Sequence, residues 1–307
     1  MDKVITIIEL SFMAELLKDL SITDISYNGH SLFYFSSTKG RQFYKEIDKD
    51  LVYTFLRNVA DYANNRFSYS DTFLDISVGK YRLSALHFAQ SRFRYRESLS
   101  FALRINQDFL KRHPNYIEGE LQVILKNMML DKRSIIISGS TGVGKTTLQK
   151  YLLMLLKEST RVLVIDNVLE LGEVHDLNPQ LDLTLWQTTA NNESEIRTFV
   201  QRALRFHPDY LIIAESRGGE MKEIVQGAIS GHPNIVTIHA DQPELVYERV
   251  AYLANMEQTI PLFKAYPYIV HLSKKEQGDG SIRRYVSKIL YYNVASDKSL
   301  VIYEDKA

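Results

Sequence analysis

The sequence lacks cysteine altogether: none of its 307 residues is a Cys. A disulfide framework and a cysteine-ligated zinc module are therefore excluded. An excess of charge of one sign is lacking too, because 37 lysines and arginines balance 37 aspartates and glutamates. Without a net basic charge, the chain has no overall field that would attract a nucleic acid or an anionic membrane. A local basic patch is still compatible with this balance.

Long uncharged apolar runs are also absent. No run approaches the roughly 18 residues that a transmembrane helix needs, and the opening residues do not read as a signal peptide. They form a helical pattern, with apolar residues at helical spacing from Ile7 to Leu20 and charges at Glu9 and Glu15. This apolar stripe predicts one buried helix face. We expect a cytoplasmic protein with no transmembrane segment, peripheral to a membrane at most.

A phosphate-binding loop is the strongest motif that the sequence does contain. Residues 139–147 match G-x-x-x-x-G-K-[ST] between an apolar strand and a helical pattern. Glycines let backbone N–H groups converge on phosphate oxygens at the start of the helix. Lys145 is expected to reach the β- and γ-phosphates of a nucleoside triphosphate, and the Thr146 hydroxyl to ligate Mg²⁺. The alternative is a glycine-rich turn that matches by chance. The loop residues are Gly139, Ser140, Thr141, Gly142, Val143, Gly144, Lys145, Thr146 and Thr147.

The pattern divides the chain into two predicted domains. Residues 1–113 are rich in Tyr, Phe and Ser and read as α+β. A junction is predicted at 111–114, because proline disfavours helix in the residue before it. Residues 114–307 alternate strands with helices, which is typical of an α/β domain with a parallel sheet. Its strands are predicted over 134–138, 161–165, 181–187, 210–214 and 235–239, and its helices over 117–130, 145–158, 193–206, 219–230 and 243–254.

Acidic residues follow two of these predicted strands. Ligands bind at the carboxyl ends of strands in parallel α/β sheets. Glu215 is therefore a candidate for the magnesium shell, and Arg217 for stabilising developing negative charge. Asp166 and Glu170 follow the strand at 161–165, and either could polarise a water molecule. The alternative for Glu215 is a solvated acid at a strand end.

Two histidines, His232 and His239, flank the short apolar strand at 235–239. A zinc site is unattractive here, because the chain has no cysteine and no third histidine lies nearby. A single histidine beside a strand is more often structural than catalytic. In a phosphate-loop protein, however, this pair indicates sensing of the γ-phosphate.

These motifs, in this order, resemble those of the bacterial secretion (traffic) ATPases, which drive type IV secretion and conjugation, type II secretion and type IV pili. The similar segments of the ATPase core are the loop at 139–147, an acidic box at 165–171, and the segments 207–220 and 231–240. The resemblance extends to 23–29, 81–85 and 98–104, which are similar to strands of the family's N-terminal domain. It covers about residues 20–290.

The resemblance implies a RecA-like P-loop ATPase domain that follows a smaller α+β domain covering the nucleotide. It implies ATP and Mg²⁺ as ligands, a homohexameric ring, and docking on inner-membrane secretion or pilus platform proteins. Glu215 then fills the Walker-B position, Glu170 is the catalytic carboxylate, and His232 and His239 form the histidine box. Arginines would supply positive charge to the nucleotide or to a neighbouring subunit's site; the candidates are Arg104, Arg217, Arg197 and Arg205.

Two motifs depart from the family pattern. The usual acidic box Ile-Glu-Asp-Thr-x-Glu-Leu reads Ile-Asp-Asn-Val-Leu-Glu-Leu at 165–171, and the usual Arg-Pro-Asp-Arg reads His-Pro-Asp-Tyr at 207–210. Glu170 thus remains as the one full-length acid of the box. We expect slow rather than absent hydrolysis, because Lys145, Thr146 and Glu215 are all retained.

Type IV secretion or conjugation is the favoured function, because the N-terminal region is short and no cysteine-ligated zinc module is present. The seven-residue spacing of His232 and His239 is more typical of pilus motors. A type IV pilus or type II-like assembly or retraction motor is therefore the alternative. Residues 91–97 interleave cations with aromatics, which leaves an NTP-dependent nucleic-acid remodeller as a rival, although a solvated basic face is the simpler interpretation. A ring component that binds ATP without turnover is a third hypothesis.

Overall fold

The computed structural model describes residues 2–106, 117–167, 169–188, 193–216, 218–257, 260–278 and 281–305. The chain forms two compact units. The first consists of Met1–Arg112 with Glu276–Arg283, and the second of His113–Lys275 with Arg284–Ala307. The junction predicted at 111–114 lies outside the described residues. Within the described ranges, no helix is long and apolar enough to cross a bilayer.

The first unit contains a six-stranded antiparallel sheet in the order β3-β2-β1-β8-β5-β4. Strands are present in the segments 23–29, 81–85 and 98–104, as the resemblance implies, but the sequence analysis missed β3. That strand lies at the sheet edge and has no buried residue, so it carries no apolar alternation. The elements are α1 (Asp2–Glu9), α2 (Ala14–Leu17), β1 (Ile22–Tyr27), β2 (Ser31–Ser36), β3 (Gly40–Glu46), α3 (Lys49–Tyr62), β4 (Phe73–Val78), β5 (Tyr81–Leu86), β6 (Arg92–Phe93), β7 (Arg96–Glu97) and β8 (Ser100–Ile105).

The opening apolar stripe does not form one continuous helix. Ser11 ends α1, because its hydroxyl donates to the carbonyl of Ile8 at 2.7 Å and accepts the N–H of Met13 at 3.2 Å. A serine side chain competes in this way with the hydrogen bonds of the helix backbone. As a result, Leu10 and Leu20 are 79% and 50% exposed, and only part of the stripe enters the core.

The second unit contains an eight-stranded sheet in the order β11-β10-β12-β13-β9-β14-β15-β16. The predicted α/β class and its five strands are confirmed; α5 ends earlier than expected, and α10 was missed. The strands are β9 (Ile135–Ser138), β10 (Arg161–Asp166), β11 (Asp182–Gln187), β12 (Tyr210–Ile213), β13 (Asn234–Ile238), β14 (Tyr268–Glu276), β15 (Ile282–Asn293) and β16 (Lys298–Glu304). The helices are α4 (Gly119–Leu130), α5 (Lys145–Met154), α6 (Val174–Leu177), α7 (Glu193–Ala203), α8 (Met221–Ile229), α9 (Val246–Leu253) and α10 (Ile260–Ala265).

The first six strands in this order are mutually parallel. Every residue of β9, β12 and β13 is buried, as expected for strands that are covered on both faces. Because parallel strands share one direction, the residues that follow β9, β10, β12 and β13 all lie along one edge of the sheet. This edge positions the functional site.

The first unit contains a buried histidine, His87. The imidazole of His87 has no exposed surface, and its Nδ1 accepts the N–H of Ala89 at 3.2 Å. Burial lowers the pKa of His87, and the Glu97 carboxylate offsets this only in part. The ring contacts four aromatic side chains, those of Tyr53, Phe67, Tyr69 and Phe88.

We expect the free energy of unfolding of the first unit to fall as the pH drops through 6.5, the ordinary histidine pKa. The unfolded chain then binds a proton that the folded unit excludes. Hydrogen exchange of β5 amides between pH 5 and pH 8 measures this. The His87→Phe variant should show a flatter pH dependence, whereas His175→Gln, at an exposed position, should not. An unchanged slope in His87→Phe would contradict the prediction.

Candidate functional site

The phosphate loop follows β9 and takes its shape from three glycines. Gly139, Gly142 and Gly144 have φ angles of +142°, +75° and +98°, which L-residues with side chains rarely adopt. At Gly139 a Cβ atom would lie 2.4 Å from the backbone oxygen of Leu272, in the neighbouring strand β14. The loop therefore packs so closely against the sheet that a side chain at Gly139 would displace it.

Lys145 is the first residue of α5 and bends back into the loop. Its side chain is almost buried, and Nζ donates to the carbonyl oxygens of Gly139 at 2.9 Å and Ser140 at 3.0 Å. The N-cap of α5 is Gly144, which has no side chain to accept the N–H groups of the first turn. A helix start of this kind favours an anion through its N–H groups and its dipole. The loop, the ammonium group and the helix start together suit the phosphates of a nucleotide.

A chain of polar contacts connects Lys145 to two neighbouring strand ends. His239 follows β13, and its Nε2 lies 2.7 Å from Oε1 of Glu215, which follows β12. Its Nδ1 lies 3.3 Å from Nζ of Lys145. Because a carboxylate only accepts and an ammonium only donates, these partners assign the neutral tautomer with the proton on Nε2. Glu215 and His239 are both partly exposed, so solvent or a ligand can reach this chain.

The acidic box after β10 is divided between two roles. The carboxylate of Asp166 is buried, and its Oδ2 accepts the N–H of Leu171 at 3.1 Å, which closes the turn after the strand. Glu170 is partly exposed and begins the short 3-10 helix Glu170–Glu173. That helix is held to α5 by an ion pair of 2.8 Å between Glu173 and Lys150. Asp166 therefore shapes the turn, and Glu170 is the acid that the turn presents.

One predicted site residue of the second unit, His232, lies away from this edge. His232 precedes β13, so the five-residue strand separates it from His239 by on the order of 15 Å. The backbone N–H of His232 donates to Gly227 in α8. Arg104 belongs to the first unit, where it pairs with Asp24 at 3.1 Å. Arg217 lies outside the described residues.

The remaining candidate arginines lie on or just after α7. Arg197 pairs with Glu223 at 3.2 Å, and Arg205 is exposed. Both belong to the second unit, as does the phosphate loop. For these two residues, a role in a neighbouring subunit's site stays a prediction.

The basic segment at 91–97 forms a small antiparallel hairpin of β6 and β7. Arg92 is used within it, since its guanidinium donates to the carbonyl oxygens of Phe88 at 2.6 Å and Ser91 at 2.9 Å. Arg94 lies over the ring of Phe93, and the side chain of Tyr95 is fully exposed at the turn. Arg92 and Arg94 thus make contacts within the chain, which fits the simpler interpretation of a solvated basic face.

Four side chains around the loop were missed by the sequence analysis. Ser138, the last residue of β9, shares a buried hydrogen bond of 2.8 Å with Nδ1 of His271 in β14. Burial lowers the pKa of His271, which favours its neutral form. Lys274 and Arg284 donate to loop carbonyls from β14 and β15. No sequence spacing could reveal these pairs, because their partners are more than 130 residues apart.

Comparison with known proteins agrees with this geometry. The chain is 30% identical over 256 residues to an uncharacterized protein of Bacillus anthracis, covering 79% of this chain and 55% of that protein. It is 32% identical over 140 residues to the type IV secretion system protein VirB11 of Brucella suis, covering 43% of this chain and 38% of that one. The chain thus spans about half, or less, of the length of these curated relatives.

A solved structure supports the fold. The Legionella pneumophila ATPase DotB matches with a TM-score of 0.68 at 17% identity, over 92% of this chain and 80% of that one. The second unit is accordingly a RecA-like domain, as the sequence predicted. The sequence profile described as "Type II/IV secretion system protein" matches residues 103–270, which is more than half of the chain. The chain therefore belongs to the type II/IV secretion system protein family, the traffic ATPase superfamily.

Proposed function

We propose that this protein hydrolyses ATP in a Mg²⁺-dependent reaction and, as a homohexamer, powers a type IV secretion or conjugation machine. The observation that carries the proposal is the contact chain from Glu215 through His239 to Lys145. It joins the phosphate loop to the ends of two neighbouring strands, where a γ-phosphate bound to the loop would lie. Membership of the type II/IV secretion system protein family supports a function in secretion or pilus assembly.

Each residue of the chain has a distinct task in this proposal. Lys145 exchanges the carbonyl oxygens of its own loop for phosphate oxygens when a nucleotide binds. His239 accepts from Lys145 and donates to Glu215, so it responds when the ammonium group moves. Glu170, presented by the turn after β10, orients and deprotonates the attacking water.

The oxygen ligands near the loop suit Mg²⁺. The Thr146 hydroxyl and the Glu215 carboxylate are hard donors, and Mg²⁺ in such sites takes one or two protein ligands with phosphate oxygens and waters. Among the described residues, no group of three or more acidic, histidine or cysteine side chains could hold a metal without phosphate. When bound, Mg²⁺ neutralises charge that develops on the phosphate oxygens. Thr146 and Glu215 orient that ion, directly or through water.

The assembled state is also part of the proposal. Arginines such as Arg104 and Arg217 would complete the site of an adjoining subunit in the ring. The machine itself would be an inner-membrane platform, with this protein on its cytoplasmic face. A pilus or type II-like assembly or retraction motor is the alternative, because the family description covers both type II and type IV systems.

The hexamer can be tested by measuring the molar mass of the protein in solution. Light scattering with ATP and Mg²⁺ should give the mass of a hexamer. A mass that stays at that of a monomer would remove the ring from the proposal.

Replacing Glu170 with Gln should separate binding from turnover. We expect ATP turnover to fall by about 100-fold or more, because the amide cannot accept a proton from water. ADP affinity should stay within about twofold, since the phosphate loop is untouched. Phosphate release and calorimetric ADP titration measure the two quantities. Asp176→Asn, at an exposed position in α6, is the matched control. Wild-type turnover in Glu170→Gln would show that another group activates water.

Replacing Gly139 with Ala should remove nucleotide binding. The new Cβ would clash with the Leu272 oxygen, so the loop must move away from β14. We expect ADP affinity to fall at least as far as in Lys145→Ala. Gly231→Ala is the control, because Gly231 also has a positive φ, +89°, but an added Cβ would meet no atom within 4 Å. Unchanged ADP binding in Gly139→Ala would contradict the close approach.

A further inference from the structure

Two cations of the C-terminal strands contact the outer part of the phosphate loop. Lys274, on β14, donates from Nζ to the carbonyl oxygen of Thr141 at 3.0 Å. Arg284, on the neighbouring strand β15, donates from Nε to the carbonyl oxygen of Gly142 at 2.9 Å. Both donors reach the loop from strands that come more than 130 residues later in the chain.

With Lys145, these cations occupy four consecutive carbonyl oxygens of the loop. Lys145 takes those of Gly139 and Ser140, and Lys274 and Arg284 take the next two. Carbonyl oxygens are partly negative and would repel phosphate if they turned inward. Lys274 and Arg284 can keep the Thr141 and Gly142 oxygens away from the bound anion even after Lys145 has exchanged its own two carbonyl partners for phosphate.

Peptide geometry connects these carbonyls to the N–H groups that would bind phosphate. In a trans peptide, the C=O of one residue and the N–H of the next point in opposite directions. Holding the Thr141 oxygen therefore aims the N–H of Gly142 away from Lys274. Holding the Gly142 oxygen aims the N–H of Val143 away from Arg284 in the same way.

The loop needs such restraint because glycine is conformationally free. Gly142 is exposed and has a φ of +75°, a region it leaves and enters at little cost. Each rotation of its peptide planes would turn an N–H out of the cradle. Fixing these planes before the ligand arrives lowers the ordering entropy that binding must overcome.

We propose that Lys274 and Arg284 are positioning residues of the phosphate loop, which orient the N–H groups of Gly142 and Val143 towards the phosphates of a bound nucleotide. The proposal rests on the proposed function, namely that the loop binds a nucleoside triphosphate. It assigns to the C-terminal strands a part in nucleotide affinity. Neither residue needs to touch the nucleotide for this role.

The test compares Lys274→Gln, Arg284→Gln and the double variant with matched controls. Lys275→Gln and Arg283→Gln remove the same charge from the adjacent position of the same strand, where the side chain points to the other face. Calorimetric titration with ADP and Mg²⁺ should show affinity about tenfold lower for each test variant, the size expected for one charge-assisted hydrogen bond. The controls should stay within about twofold of the wild type.

Two further measurements separate positioning from a general effect of charge or folding. The difference between test and control variants should persist at about 0.5 M salt, where long-range attraction is screened. Lys274→Arg and Arg284→Lys, which keep a cationic donor, should recover most of the affinity. Thermal unfolding without nucleotide monitors folding, and the single variants carry the test if the double variant does not fold.

The outcomes distinguish this inference from the proposed function. If wild-type protein binds ADP and Lys145→Ala does not, nucleotide binding by the loop stands. Wild-type affinity in Lys274→Gln and Arg284→Gln would then overturn the positioning role alone. Equal losses in test and control variants, or a loss that disappears at high salt, would also overturn it. A wild-type protein that binds no ADP would overturn both.

Discussion

The site depends on the shared direction of neighbouring parallel strands. Because β9, β12 and β13 run the same way, the phosphate loop, Glu215 and His239 leave the sheet at the same edge. Lys145, Glu215 and His239 are distant in sequence, but the hydrogen-bonded register of the sheet brings their side chains within contact distance. Every residue of these three strands is buried, so both faces of the sheet pack into the core of the second unit. The parallel sheet at the core of the second unit therefore determines the relative positions of the site residues.

Cationic side chains donate hydrogen bonds to the backbone carbonyl oxygens of the phosphate loop. A loop that turns N–H groups inwards must turn its carbonyl oxygens elsewhere, where each of them takes a donor from the protein or from water. Lys145 supplies two of these donors, and the C-terminal strands supply two more. The loop is thus held in shape by cations, which also create the positive potential that an anion would meet. Structure and electrostatics at this loop come from the same side chains.

Local patterns predicted much of the fold and the outline of the site. The phosphate loop, the strand before it and the helix after it are contiguous, so their spacing alone identifies them. Glu215 and His239 were predictable because each directly follows a strand. The sequence suggested that His232 and His239 act together, but β13 lies between them and places them at opposite edges of the sheet. Spacing in sequence alone does not reveal this separation. Lys274 and Arg284 gave no local signal, since their role exists only after strands far apart in sequence have paired.

The altered acidic box at 165–171 differs from the family pattern at a residue with a structural role. Its first acid is Asp166, which is one methylene shorter than the usual glutamate, and its Oδ2 accepts the N–H of Leu171, which closes the turn. A buried carboxylate with this backbone partner is a structural element, because replacing it would leave the Leu171 N–H unpaired. This turn leads directly into the 3-10 helix that begins at Glu170. The ion pair between Glu173 and Lys150 holds that helix to α5, the helix that begins with Lys145. At Asp166 the departure from the family pattern therefore concerns an acid that shapes the box, while Glu170, the acid that the box presents, retains its full length.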